Sequence, residues 1–244
     1  MDSRERFTAT VGDYERARPD YPDALIAALV ARAPWRRAVD LGSGTGILSR
    51  QLAAAGLDVI GVEPNAAMRL AAERAGGGPR YHAGQAESTG LAVASADLVV
   101  GAQAFHWFDL PATVAEIDRV AIARAPAAAI WNVRAEEAGG FAAAYEALLG
   151  RFVGRRGPGE LANVTIDALA RLRPGGERLV FPHAQHLDRD GAHARAWSSS
   201  YVAHGVRDHA AFDRALDEVF GAHALDGAVT LRYRTLAYVW STSP

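Results

Sequence analysis

The 244-residue chain contains no cysteine, and all 26 of its basic residues are arginine. Without Cys there can be no disulfide, no thiolate nucleophile and no cysteine-ligated metal. Without Lys there is no mechanism that needs a catalytic lysine and no Gly-Lys-Ser/Thr phosphate loop. Long apolar runs are also missing; none approaches the roughly 18 residues of a membrane helix. Charge of one sign is not in excess. The net charge of −2 supplies no field that would gather nucleic acid or an anionic membrane. The first residues (Asp2, Arg4, Glu5, Arg6) lack the apolar core of a signal peptide, so a cytoplasmic location is expected. No Gly-x-Ser-x-Gly elbow occurs. His183 with His186, and His204 with His209, have no acidic or cysteine companions, so no metal is expected. The arginines are scattered, and Arg155-Arg156 reads as a solvated loop.

What is present is an ordinary globular balance, half hydrophobic and 22% charged, which suits one domain over residues 1–244. A helix is expected over 23–33, with Leu25, Ile26, Leu29 and Val30 at helical spacing. From there short apolar strands (38–41, 57–62, 80–83, 97–102, 127–133) alternate with helices (47–55, 65–75, 111–121). That rhythm predicts an α/β fold: a parallel sheet with helices on both faces. The rhythm then breaks. Residues 135–175, with helices over 141–153 and 165–172, read as an insertion packed over the end of the sheet. Two alternating segments, 178–187 and 228–240, flank a helix near 210–221 and read as an antiparallel edge.

The most informative stretch is Ala38-Val39-Asp40-Leu41-Gly42-Ser43-Gly44-Thr45-Gly46-Ile47-Leu48. A strand runs into a glycine turn, and the turn opens a helix whose free N–H groups face the same space. A dinucleotide fingerprint would place its third glycine at Ile47. Here the glycines stand at 42, 44 and 46 after an acidic residue, so that fingerprint is broken. Glu63, at the end of the next strand, can accept hydrogen bonds from both hydroxyls of a ribose. Together these residues point to a nucleoside-containing cofactor.

Residues 38–64 resemble the motif of class I S-adenosylmethionine-dependent methyltransferases. The narrower resemblance is to the type 11, trans-aconitate-methyltransferase-like small-molecule branch. It is carried by Asp13-Tyr14-Glu15-Arg16-Ala17-Arg18-Pro19-Asp20-Tyr21-Pro22, by Gly84-Gln85-Ala86-Glu87, by Gln103-Ala104-Phe105-His106-Trp107-Phe108 and by Ser198-Ser199-Ser200-Tyr201-Val202. One departure is Ile122-Ala123-Arg124-Ala125-Pro126, where relatives carry Arg-Pro-Gly-Gly. The resemblance implies a Rossmann-like seven-stranded sheet of order 3-2-1-4-5-7-6 with the last strand antiparallel. It also implies an N-terminal helical lid over 1–33, folded over the cofactor.

The resemblance further implies S-adenosylmethionine as cofactor and these roles. Asp40 and Gly42 would lie near the methionine ammonium, with Gly44 and Gly46 giving backbone room. Tyr14 and Arg18 would meet the carboxylate, and Glu63 the ribose. Pro64 would flank the adenine, and Asn65 would either do the same or cap the next helix. Gln85 and Ala86 would meet the adenine edge, with Glu87 either beside them or solvated. Gln103 and Ala104 would border the methionine part. His106, Trp107 and Phe108, with Trp131 and Asn132 as weaker candidates, would reach a small-molecule acceptor. His106 is either an acceptor-binding group or general base, or a hydrogen-bonded structural histidine. Two other functions remain open: an NAD-type oxidoreductase, and a cofactor-binding protein without transfer activity.

Overall fold

The computed structural model describes residues 17–135, 139–154 and 159–244. Among the described residues a helix α1 (Asp23–Val30) is followed by β1 (Arg37–Leu41), α2 (Ile47–Ala54), β2 (Asp58–Val62), α3 (Ala66–Ala75) and β3 (Arg80–His82). β4 (Leu98–Ala102) is followed by a single 3-10 turn (Phe105–Trp107), then α4 (Leu110–Val120) and β5 (Pro126–Arg134). The second part comprises α5 (Phe141–Val153), α6 (Gly159–Leu172), β6 (Glu177–Leu187), α7 (Arg189–Trp197), α8 (Ser200–Gly205), α9 (His209–His223) and β7 (Val229–Ser241). The seven strands form one sheet of order β3-β2-β1-β4-β5-β7-β6. β1 to β5 pair in parallel, and β7 runs antiparallel to both β5 and β6. This is the order and sense that the resemblance implied.

Period-two alternation splits the sheet into two apolar faces. Val39, Leu41, Val99, Ala127, Ala129, Trp131 and Trp240 pack one way, under Ile117 of α4 and Ile166 and Leu169 of α6. Their neighbours Ala38, Leu98, Val100, Ala128, Ile130 and Val239 pack the other way, under Leu25 and Leu29 of α1 and Leu48 and Leu52 of α2. Burial on both sides explains why β4 and β5 read as unbroken apolar runs. β6 is a half-exposed edge, where Pro182 costs no needed ladder bond.

A third cluster unites Tyr145, Leu148 and Leu149 of α5 with Ala192, Ala196, Val202, Phe212 and Leu216 of α7 to α9 and with Leu231 and Tyr233 of β7. Because β7 is antiparallel, Tyr233 lies opposite Arg134, the last residue of β5. The cluster therefore stands at the carboxyl end of the parallel strands, where ligands of open α/β sheets gather. The segment expected as one insertion divides between the layers: α5 joins this cluster, whereas α6 covers the sheet face. α6 begins six residues before its expected start, and α7 and α8 lie where no helix was expected. Alternating small residues in Arg189–Trp197 leave little periodic signal, although Asp188 caps α7 by accepting the Gly191 N–H at 2.7 Å.

Candidate functional site

The loop after β1 owes its path to three left-handed glycines: φ is 64° at Gly42, 57° at Gly44 and 79° at Gly46. Any L side chain there is strained. At Gly42 and Gly46, though not at Gly44, space opposes it as well. A Cβ on Gly46 would meet the Tyr81 hydroxyl at 2.1 Å, and one on Gly42 would meet the Ala104 Cβ at 2.8 Å. The loop is thus pressed from one side by β3 and from the other by the segment after β4. Gly46 stands immediately before α2 because the helix must start under Tyr81.

Two carboxylates flank this loop. Glu63, at the end of β2, accepts the Gly44 N–H at 2.9 Å on one oxygen and the Asn65 N–H at 2.8 Å on the other. Both oxygens keep a second acceptor site. Burial pushes its pKa up. Asp40, on β1, is almost wholly buried; one oxygen accepts the Ser49 hydroxyl at 2.6 Å and the other has no partner. Burial, opposed by the Ser49 hydrogen bond and helped by the nearby Glu63 charge, raises its pKa to about 7. The Ser43 and Thr45 hydroxyls of the loop are likewise buried without a hydrogen-bond partner. Buried polar atoms left unsatisfied mark a place where a ligand is missing its contacts.

Around the loop lies a cleft of two chambers. The larger, about 370 Å³, is lined by Glu63, Pro64, Gln85, Ala86, Ala104, Trp107 and Phe108, among others. The smaller, about 50 Å³, is lined by Arg18, Asp40, Ser43, Thr45, Asn132 and Arg195, among others. Gly42, Gly44, Ala102 and Gln103 line both. Gln103 leaves β4 at φ 56°, a strained conformation for a non-glycine residue, and its amide donates to the Asn132 carbonyl at 3.1 Å. Strain of this kind concentrates at functional sites.

The walls are braced by hydrogen bonds, one of them between the lining residues Glu87 and Asp109. Glu87 accepts the Asp109 N–H at 2.9 Å, which ties the 85–88 turn to the tip after β4. The buried carboxylate of Glu116 accepts the Thr89 N–H at 2.7 Å and is gripped by Arg119. Those hydrogen bonds, led by Arg119, hold its pKa down at about 2. Across the smaller chamber, Arg18 donates to the Ser198 carbonyl at 3.0 Å and the Asp20 carbonyl accepts the Asn132 amide at 2.8 Å. The described end of the N-terminal segment therefore threads between β5 and the α7–α8 corner. Tyr14 lies outside the described residues.

The expected residues do not all meet in one place. Asp40, Gly42, Gly44, Glu63, Pro64, Gln85, Ala86 and Gln103 line the cleft, whereas Gly46 lines neither chamber and packs under Tyr81 instead. Asn65 accepts the Ala67 and Met68 N–H groups at 2.9 and 3.0 Å, so it caps α3 while also lining the larger chamber. Ala104, Trp107 and Phe108 face the larger chamber rather than a separate acceptor space. Trp131 lies in the core against Phe105, with ring centroids 6.3 Å apart, and lines neither chamber. His106 also lines neither; its ring is 4.9 Å from that of Trp107. Burial, helped by the Arg18 charge, lowers its pKa to about 4. Sequence reasoning missed Arg195, which no local pattern distinguishes. Ser43 and Thr45 could have been read from their places between the glycines.

Comparison with known proteins agrees with this geometry. A methyltransferase-domain family model matches residues 39–125, which run from β1 to the start of β5. An uncharacterized methyltransferase of Mycobacterium tuberculosis is 37% identical over 160 residues, 66% of this chain and 63% of that protein. The chain thus aligns over a little under two thirds of that relative's length. A solved structure from Anaeromyxobacter dehalogenans, assigned as a type II methyltransferase, is 28% identical with a TM-score of 0.70, covering 93% of this chain and 99% of that one. A 4+2 cyclase shares the fold at 15% identity and TM-score 0.53, covering 98% of this chain and 95% of that one. Family model, relative and solved structure converge on the same stretch that holds the glycine loop, Asp40 and Glu63: residues 39–125 match a methyltransferase domain, and the chain has the Rossmann-like fold of its methyltransferase neighbours.

Proposed function

We propose that this chain transfers a methyl group from S-adenosylmethionine to a small-molecule acceptor by in-line displacement. The observation that carries this reading is the pair of acids on the two sides of one glycine loop, each in its own chamber. Glu63 faces the chamber large enough for a nucleoside and suits the ribose hydroxyls. Asp40 faces the smaller chamber, where its unpartnered oxygen suits an ammonium. The unsatisfied hydroxyls of Ser43 and Thr45, and the loop that a Cβ would obstruct, fit a polar ligand lying close to the backbone. Pro64, Gln85 and Ala86 would hold the base. When bound, the cofactor supplies a methyl group already activated on a sulfonium, so the protein's task is placement and exclusion of water.

The acceptor is assigned to the part of the larger chamber walled by Trp107 and Phe108, beside the space given to the nucleoside. His106 lines neither chamber but lies against the ring of Trp107, which does; burial lowers its pKa to about 4, and an uncharged imidazole that reached past Trp107 would take a proton from an acceptor hydroxyl or amine. A carboxylate acceptor would need no base. The scattered arginines and the net charge of −2 support a small molecule over nucleic acid. Titration with S-adenosylhomocysteine and with NAD tests the cofactor, and a methyl-labelled acceptor screen tests transfer. His106→Ala is expected to lower turnover at least tenfold while leaving S-adenosylhomocysteine affinity within twofold; an unchanged turnover overturns the base assignment.

The cyclase that shares the fold favours keeping a second reading, binding of the cofactor without transfer, because a fold does not fix its chemistry. It predicts tight S-adenosylhomocysteine binding with no labelled product from any acceptor.

A further inference from the structure

Arg195, on α7, is 4% exposed yet lines the smaller chamber. Two neighbours fix its guanidinium: Nε donates to the Tyr233 hydroxyl at 3.0 Å and Nη1 to the Ser199 hydroxyl at 3.0 Å. Among the described residues no carboxylate pairs with it. The groups that act on its charge are Tyr233, Tyr145, Tyr201 and a second cation, Arg134. The contrast with Arg134 is direct, since that buried guanidinium pairs with Glu146. A guanidinium taken out of water without a counter-ion is costly, and nothing here offsets it except three phenol rings and a serine. Its planar fork is built for a carboxylate.

We infer that Arg195 binds the carboxylate of a small molecule occupying this chamber, held in place for that task by Tyr233 and Ser199. The inference rests on the cofactor reading of the cleft. Charge complementarity favours the cofactor's own amino-acid end. The chamber wall presents one acid, Asp40, and two cations, Arg18 and Arg195, and a zwitterionic amino acid needs both signs a few ångströms apart. An acid on the acceptor would have the same chemistry, so the test separates the two sources.

Wild type and Arg195→Gln are titrated with S-adenosylhomocysteine and with 5′-methylthioadenosine, which keeps the nucleoside and thioether but lacks the amino acid. Both proteins, loaded with S-adenosylhomocysteine, are then titrated with succinate. If the carboxylate is the cofactor's, the variant loses about tenfold or more for S-adenosylhomocysteine and stays within twofold for methylthioadenosine. If it is the acceptor's, both nucleosides bind the variant as they bind wild type, and succinate binds only the loaded wild type. Equal losses for both nucleosides, or no change with any ligand, overturn the inference. Should Arg195→Gln fail to fold, Tyr233→Phe and Ser199→Ala carry the same comparison, since each frees the guanidinium without removing it. Failure of wild type to bind either nucleoside counts against the cofactor reading instead, and succinate titrated into the unloaded protein then decides the role of Arg195.

Discussion

Asp40 shows how much a single side chain carries. Its native pKa of about 7 stands above the ordinary 3.8, so between those values the native state holds a proton that the unfolded chain has released. The ligand-free protein therefore loses stability as pH rises through that window. Asp40→Asn removes the slope. An ammonium ligand needs the ionised form, so S-adenosylhomocysteine affinity should climb by up to about tenfold per pH unit below 7 and level off above it. Calorimetry between about pH 5.5 and 8 reads this directly, and in Asp40→Asn the affinity should be low and flat. Gly46 is equally exacting. Gly46→Ala combines φ 79° with a Cβ 2.1 Å from the Tyr81 hydroxyl, and we expect it to destabilise by roughly 1–3 kcal/mol and to abolish S-adenosylhomocysteine binding.

At the scale of elements, the site depends on braces that never touch the cleft. Glu116 of α4 holds the 85–91 turn through Thr89, with a carboxyl pKa of about 2 against an ordinary 4.5. Depressed in the fold, it stabilises fully above about pH 4.5, and that contribution is lost as pH falls toward 2. Glu116→Ala should cost roughly 1–3 kcal/mol, the penalty for buried donors left unsatisfied, and should flatten the acid limb of the stability profile. The turn before β5 offers the opposite case. Arg124 occupies the left-handed region at φ 59°, a conformation that favours glycine. Arg124→Gly relieves strain of about 1–2 kcal/mol against a smaller gain in unfolded-state entropy. A thermal melt should therefore shift slightly upward.

For the whole molecule, legibility followed the range of the forces. The parallel strands and α2 to α4 were readable because burial on two faces and local turn chemistry write themselves into short windows. The glycine loop, Asp40 and Glu63 were readable for the same reason. Trp131 was not: whether the side chain at a strand end faces the cleft or the core depends on the α6 layer, which packs from 30 residues or more away in sequence. Nor was Arg195, whose meaning comes from Tyr233 on an antiparallel strand and from the missing acid beside it. α7 and α8 escaped because alanine and glycine carry little periodic signal.

The central claim is that the two chambers around residues 42–46 hold a sulfonium methyl donor. The most direct measurement is calorimetric titration of the purified chain with S-adenosylhomocysteine and, separately, with NAD. Saturable one-to-one binding of S-adenosylhomocysteine, no heat with NAD, and loss of the first signal in Glu63→Ala is the predicted result. Binding of NAD but not of S-adenosylhomocysteine, or S-adenosylhomocysteine binding indifferent to Glu63→Ala, would contradict it.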